Sequence, residues 1–433
     1  MRSFGKLARR TGYTVTTLFT ALLAGNASAG GLWINEFGSP IMGRAGAGSL
    51  SSLEDASAAL HNPASMTAVD GDQIMASIGL IATEAQFDLE RSEPINGPGD
   101  GGDAGGTGPS GGVFYRRGLN DKWIFGLYAG GFTGAVLDFD DDWAGRFQAQ
   151  EVNLLVVGTM PSLAYRVSER LSVGLALPIL YSELKLDVAL PGSGLTNARA
   201  EVDGDDTRAG YNLSAYYEIN DTTRIGVLYQ SKFDFEYGGN VDVKNFAGSP
   251  RLSSDTELPL VAYIKGSISH DFTPDFSGHV TVGWEEWSDL DSVILTAEDN
   301  TVELAKDWDD IWHVAFGIEY KLAPEWTLNL GYRFDQSPTY ARDRTADLPV
   351  DEQKRYAIGF RYDRRKNFTM GAHLVYADLG DAQIDSSNSI QVPTPGPVVD
   401  TIEVPTGYRG DFSDNNAIFF SLSFNWKLGA ANG

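Results

Sequence analysis

The chain has 433 residues, a formal charge of −25 and no cysteine. The acidic surplus excludes nucleic acid as a partner, because too few cations are left to neutralise phosphates, and no disulfide can support the fold. After the first thirty residues no run of 18 apolar residues occurs, which excludes transmembrane helices.

Residues 1–29 read as a secretory signal peptide. Arg2, Lys6, Arg9 and Arg10 form a basic start, Tyr13 to Gly25 a short apolar run, and Ala27-Ser28-Ala29 a small-residue cleavage site. Removing these residues, with four basic and no acidic side chains, takes the charge to −29. Residues 30–72 come next as an N-terminal plug with a helical segment at Leu53–Met66. Ser51 and Glu54 form a Ser-x-x-Glu capping box there, and Asn62-Pro63 supplies the stop.

From residue 73 to 433 the pattern is β. In "WTLNLGYRFD", Trp326, Leu328, Leu330, Tyr332 and Phe334 alternate with Thr327, Asn329, Gly331, Arg333 and Asp335. "RYAIGFRYD" and "NAIFFSLSFNW" alternate in the same way, which puts each set on one face of a sheet. The apolar faces end on Trp123, Trp284, Trp312, Trp326, Phe368 and Trp426, as the aromatic girdles of a membrane barrel do, and the other face is polar and rich in glycine.

The spacing predicts fourteen strands joined by alternating short and long links. "GLND", "SER" and "NDT" are short. Glu90–Gly108, Gly238–Asp255 and Gly380–Asn415 are long. The expected fold class is therefore all-β: a 14-stranded antiparallel transmembrane β-barrel of the outer membrane, with an N-terminal, partly helical plug. Both termini are expected in the periplasm. A closed barrel pairs every backbone group, so the bilayer imposes no unsatisfied edge. The tail Lys427–Gly433 beyond Trp426 has no evident role.

Catalytic patterns are weak, so no enzyme is expected. His61, His270, His279, His313 and His373 are scattered and read as lumen-facing polar residues, so no metal site and no cofactor is expected. "DFDDDW" (Asp138–Trp143) reads as a solvated loop although its oxygens suit calcium. Ser267 and His279, on adjacent predicted strands, are the pair an outer-membrane phospholipase would need, but nothing nearby activates either.

The stretch "GLWINEFGSPIMGRAGAGSLSSLEDASAALHNPASM" resembles the N-terminal hatch of the outer-membrane long-chain fatty acid transporters of the FadL type. Asn35-Glu36-Phe37, Gly43-Arg44-Ala45 and Asn62-Pro63-Ala64 carry the likeness. Trp287-Ser288 and Asp335 to Pro338 extend it to the late strands. The resemblance implies a monomeric fourteen-stranded barrel, in contact with outer-membrane lipid and lipopolysaccharide, that passes long-chain hydrophobic molecules without cofactor or energy coupling. It implies a gate at Asn62, Pro63 and Ala64, and a kinked third strand opening laterally to the bilayer.

Glycine inside a strand marks a bend or bulge, so the kink is expected at Gly130, Gly131 and Phe132. The ligand pocket is expected at Glu183, Lys185, Asp309 and Leu127, with Pro178 turning Glu183 inward. Two acidic residues there would disfavour a fatty acid anion, which makes a neutral aliphatic or aromatic hydrocarbon the alternative ligand. A structural or adhesive barrel is a remote third reading.

Overall fold

The computed structural model describes residues 39–190, 198–245, 251–290, 292–297, 300–365, 367–393 and 401–429. The expected signal peptide and Asn35-Glu36-Phe37 lie outside them. Fourteen antiparallel strands form one closed wall: β1 (Asp72–Ser92), β2 (Thr107–Gly118), β3 (Trp123–Asp138), β4 (Glu151–Arg166), β5 (Leu171–Ala176 and Ile179–Ala189), β6 (Arg199–Ala209 and Asn212–Asn220), β7 (Thr223–Gln230 and Phe233–Lys244), β8 (Arg251–Leu260 and Tyr263–Thr273), β9 (Phe276–Glu285 and Ser292–Ala297), β10 (Asn300–Ala305 and Ile311–Ala323), β11 (Trp326–Asp335), β12 (Gln353–Arg365), β13 (Phe368–Asp378) and β14 (Tyr408–Leu428). β1 closes the barrel on β14, from Asp72↔Leu428 to Ser92↔Tyr408.

The alternation sets the two faces. Trp326, Leu330, Tyr356, Phe360, Phe420 and Trp426 are exposed on the outside, while Thr327, Asn329, Arg333, Arg355, Ser421 and Ser423 are buried toward the lumen. At the short-turn end, ring pairs Trp123–Tyr165 (4.6 Å), Trp326–Tyr362 (4.6 Å) and Phe368–Trp426 (5.2 Å) make an outward aromatic belt. Tyr332–Tyr356 (5.3 Å) and Tyr211–Tyr229 (6.0 Å) contribute to a second belt nearer the long loops. At the end of β14, Lys427 pairs with Asp70 at the plug junction (3.2 Å).

Six neighbouring strands, β5 to β10, break at one level, and in β7 and β8, among others, the break changes which residues face inward. In β7, Gly226, Leu228 and Gln230 face the lumen below the break, and Phe233, Phe235 and Tyr237 above it. In β8 the inward set passes from Tyr263, Lys265 and Ser267 to Ser254, Thr256 and Leu258. The expected long link Gly238–Asp255 is mostly strand, because β7 and β8 pair as far as Asp242↔Arg251.

Over the long-loop end, Phe87, Phe139, Trp143, Tyr408 and Phe412 pack into one buried cluster. Phe139 stacks on Trp143 with centroids 3.9 Å apart, and Phe87 meets Trp143 edge-on at 5.9 Å. The loop carrying Thr345 and Asp347 is tied to the break in β10 by Lys306. Its buried ammonium donates to Thr345 (2.6 Å) and Asp347 (2.6 and 2.8 Å).

Candidate functional site: a plugged lumen and a window in its wall

Residues 39–69 run inside the short-turn end of the barrel, nearly all buried. Little of the expected helix forms. Only Ala58–His61 is α-helical, followed by a 3-10 turn at Pro63–Thr67. The capping box does not assemble, because the wall competes for its groups. The Ser51 hydroxyl shares a hydrogen bond with Ser269 (2.7 Å), and Glu54 accepts from Arg361 (2.9 Å). Asn62 ends the helix in extended backbone, and its side chain caps the next turn by accepting from Ala64 N (3.1 Å).

The plug is seated on bare backbone and hydroxyls. The wall carries inward glycines where plug and wall touch. A β-carbon at Gly331 would lie 2.1 Å from the Arg44 carbonyl carbon, one at Gly226 2.0 Å from Leu50 O, and one at Gly174 2.4 Å from Ala64 N. Around these contacts Asn62 donates to Leu50 O (2.7 Å) and Ala215 O (3.3 Å), and Ala64 N donates to Ser214 (3.1 Å). Thr67 and Ser172 share a hydrogen bond at 2.7 Å, and Gly48 N donates to Thr281 (2.9 Å). Buried Arg44 reaches His279 (2.7 Å) and Glu319 (3.5 Å). His279 therefore binds the plug and Ser269 (2.9 Å), while Ser267 bonds Thr281 (2.7 Å), so the two do not form a catalytic pair.

A small cavity of about 30 Å³ lies between plug and wall. Leu50, Leu60, Phe132 and Leu228 supply its apolar side, and Lys265, His313 and Arg333 its polar side. The polar side continues into a buried cluster. Arg333 donates to both Asp335 oxygens (2.9 and 3.0 Å from Nε), His313 Nδ1 lies 3.2 Å from Glu285, and Arg355 lines the space beyond. Glu285, His313 and Asp335 bring three potential metal-binding atoms within 4.8 Å. With both Asp335 oxygens already engaged by a guanidinium, this group does not fit a metal ion. Asp138–Trp143 forms no such grouping among the described residues.

Four expected pocket residues lie elsewhere. Pro178 interrupts β5 without changing its phase, so Ser182 and Leu184 face inward, and Glu183 and Lys185 face outward. Glu183 stands opposite Asp205 on the outer face, and Lys185 is 4.0 Å from Glu151. Asp309 is exposed in the break of β10, its N–H donating to Pro338 O (2.7 Å). Leu127 alternates with inward Gly126 and Tyr128 and so points outward.

In β3 the structure places a bulge. The ladder to β4 slips between Gly131 and Thr133, leaving Phe132 without a partner and turned into the lumen, 5.2 Å from the Tyr128 ring. Pairing of β2 with β3 ends at Gly112↔Gly130. Yet β2 stays paired to β1 up to Ala82↔Thr107, and β3 to β4 up to Asp138↔Glu151. β3 next meets the link that leads into β2, where Asp138 N donates to Ala104 O (3.0 Å). The interval is a window in the wall. Outside it a cavity of about 320 Å³ opens, lined by Gly111, Gly112, Val113, Ala129, Gly130, Val157, Gly158 and Tyr181 among others.

Residues 20–428 match the family model described as outer membrane protein transport protein (OMPP1/FadL/TodX). The chain belongs to this family. FadL-family proteins are transport channels and not enzymes, so this chain is an outer-membrane channel for hydrophobic compounds. It is 23% identical to a long-chain fatty acid transport protein of Salmonella typhi over 98% of this chain and 100% of that one. It is 26% identical to a 47 kDa outer membrane protein of Pasteurella multocida over 84% and 92% of the two chains. In fold it resembles a Pseudomonas aeruginosa FadL homologue (TM-score 0.79, 21% identity, 92% and 100% of the chains). It also resembles the P. putida toluene transporter TodX (TM-score 0.66, 17% identity, 91% and 99%).

Tyr128, Gly112, Gly158 and Lys265 escape a reading of the sequence. Only strand register brings the three glycines Gly112, Gly130 and Gly158 side by side, and only the phase change in β8 turns Lys265 inward.

Proposed function

We propose that this chain passively transports long-chain fatty acids across the outer membrane as a monomer. The ligand enters the lumen from the long-loop side, the hatch around Asn62-Pro63-Ala64 rearranges, and the ligand leaves laterally through the window at Gly130, Gly131 and Phe132. The observation that carries this reading is the two-sided cavity over the hatch. Its apolar wall suits a chain, and Lys265 and Arg333 beside it suit a carboxylate. Arg355 adds a third cation just beyond, beside Glu285 and Asp335. Hydrogen bonds from such cations to an anionic headgroup are charge-assisted and therefore strong. The cavity holds little more than a water or two, so a chain-sized ligand requires the hatch to withdraw.

The alternative of a neutral hydrocarbon drew on Glu183 and Asp309. Glu183 faces outward and Asp309 is exposed in the break of β10, so neither lines the cavity and that argument lapses, and its remaining support is the likeness to toluene transporters. Uptake of labelled oleate by a deletion strain, complemented with the wild-type chain or Lys265→Ala, tests the proposal. Wild-type rescue with a clear loss for Lys265→Ala is expected. Rescue of growth on toluene but not on oleate would favour the hydrocarbon instead.

A further inference from the structure

The window in the wall is thin for a reason legible in the register. Gly112, Gly130 and Gly158 stand side by side on β2, β3 and β4. A row of three glycines leaves no side chain between the outer cavity and the lumen. What covers that row from inside is the ring of Tyr128. A β-carbon at Gly112 would lie 2.5 Å from Tyr128 Cε2, and one at Gly130 would lie 2.7 Å from its hydroxyl oxygen. The ring is fully buried, tilted against Phe114 at 4.7 Å and edge-on to Phe132 at 5.2 Å. Its hydroxyl donates to Gly131 O at 2.5 Å, the carbonyl just before the bulge.

We infer that Tyr128 is the shutter of the window: its ring closes the glycine row on the lumen side, and its hydroxyl latches the closed position on Gly131. The inference rests on the lateral exit proposed above and names the residue that controls it. Three features fit a moving part. The ring is fixed by one neutral hydrogen bond and two aromatic contacts, and by no charge. The latch acceptor belongs to the bulge, where β2 gives β3 no ladder support. Beyond the glycines the outer cavity presents Val113, Ala129, Val157 and Ile179, a surface for an apolar chain. The slit is tall rather than round. The five β2 residues Thr107–Gly111 that have no β3 partner span about 17 Å at about 3.4 Å each. An extended chain can pass it edgewise once the ring turns away.

The cysteine-free chain allows a clean test with three variants, measuring oleate uptake by cells and oleate binding by purified protein in detergent. Tyr128→Phe keeps the ring and loses the latch. Uptake is expected to rise about fivefold, the rate equivalent of a hydrogen bond of about 1 kcal/mol, with binding unchanged. Tyr128→Ala removes the shutter, and cells should admit a hydrophobic dye such as N-phenylnaphthylamine faster than wild type. Gly131→Phe fills the outer mouth from a position where an added β-carbon meets no atom within 4 Å, and uptake should fall about tenfold or more while binding persists. If Gly131→Phe blocks uptake but both Tyr128 variants behave as wild type, the shutter is overturned and the lateral exit stands. If Gly131→Phe binds and transports normally, the lateral exit itself is wrong, and the shutter falls with it.

Discussion

The hatch meets the wall through many scattered hydroxyl and bare-backbone contacts, with guanidinium–carboxylate pairs at Arg44–Glu319 and Arg361–Glu54, whereas the loops over the opposite end are joined by one block of stacked aromatics and a buried ion pair. Contacts such as Thr67–Ser172 and Ala64–Ser214 are neutral hydrogen bonds, each worth about 1 kcal/mol net. The cap buries whole rings: Phe87, Trp143, Tyr408 and Phe412. One closure can be undone in small steps, and the other comes apart only as a unit. A transporter needs the first kind where something must withdraw and the second where the entrance must keep its shape.

The sharpest way to break the comparison is at the cap. Trp143→Ala removes the ring on which Phe139 stacks, and should loosen the cap by about 3–5 kcal/mol. Protease cutting within 139–150 should become rapid while the barrel stays intact. Next comes Lys306→Met, which leaves Asp347 buried without its cation and should cost about 3 kcal/mol or more. The double variant Lys306→Met/Asp347→Leu should recover most of that in the same proteolysis assay.

At the hatch the effects shrink. Asn62→Ala loses the bonds to Leu50, Ala215 and Ala64 and should loosen the hatch by about 1–2 kcal/mol. Pro63→Ala should act in the same direction. Both should alter oleate uptake with the barrel's thermal unfolding unchanged, and normal uptake in both would remove the gate from Asn62-Pro63-Ala64.

The smallest expected effect is of pH. Burial pushes the Asp347 carboxyl up, but the Lys306 ammonium and the Lys306 and Thr345 hydrogen bonds outweigh it and hold it below the usual carboxylate range. A depressed folded value means that the stabilisation is complete above the unfolded value of about 3.9, and fades as pH falls through the folded one. Loop proteolysis should therefore be flat between about pH 7 and 5.

The wall was readable in the sequence because period-two alternation reports directly on two faces. Trp326 to Asp335 and Ile418 to Trp426 behave as their patterns predict. The site was less readable, for two physical reasons. Whether Glu183 or Lys265 faces the lumen depends on whether a nearby break adds a residue to the count. Pro178 adds none, whereas the junction around Val261-Ala262 changes the phase, and nothing local in either stretch announces the difference. The hatch misled in another way. Ser51 and Glu54 have the right spacing for a capping box, but a wall at hydrogen-bond distance offered better partners.

The break in β7 has a consequence for the character of the lumen. Gln230 and Ser231 are adjacent and both buried, so the strand carries one residue more than strict alternation allows. Had the strand run through Ser231 in strict alternation, Asp234 and Glu236 would point inward, and Phe233, Phe235 and Tyr237 would meet the outside. A single spare residue thus decides whether this part of the conduit is greasy or acidic. Deleting Ser231 would restore strict alternation with Gln230, Phe233, Phe235 and Tyr237 all still inward, whereas straightening the break with every residue kept would exchange the two linings and turn a path for oil into a path for cations.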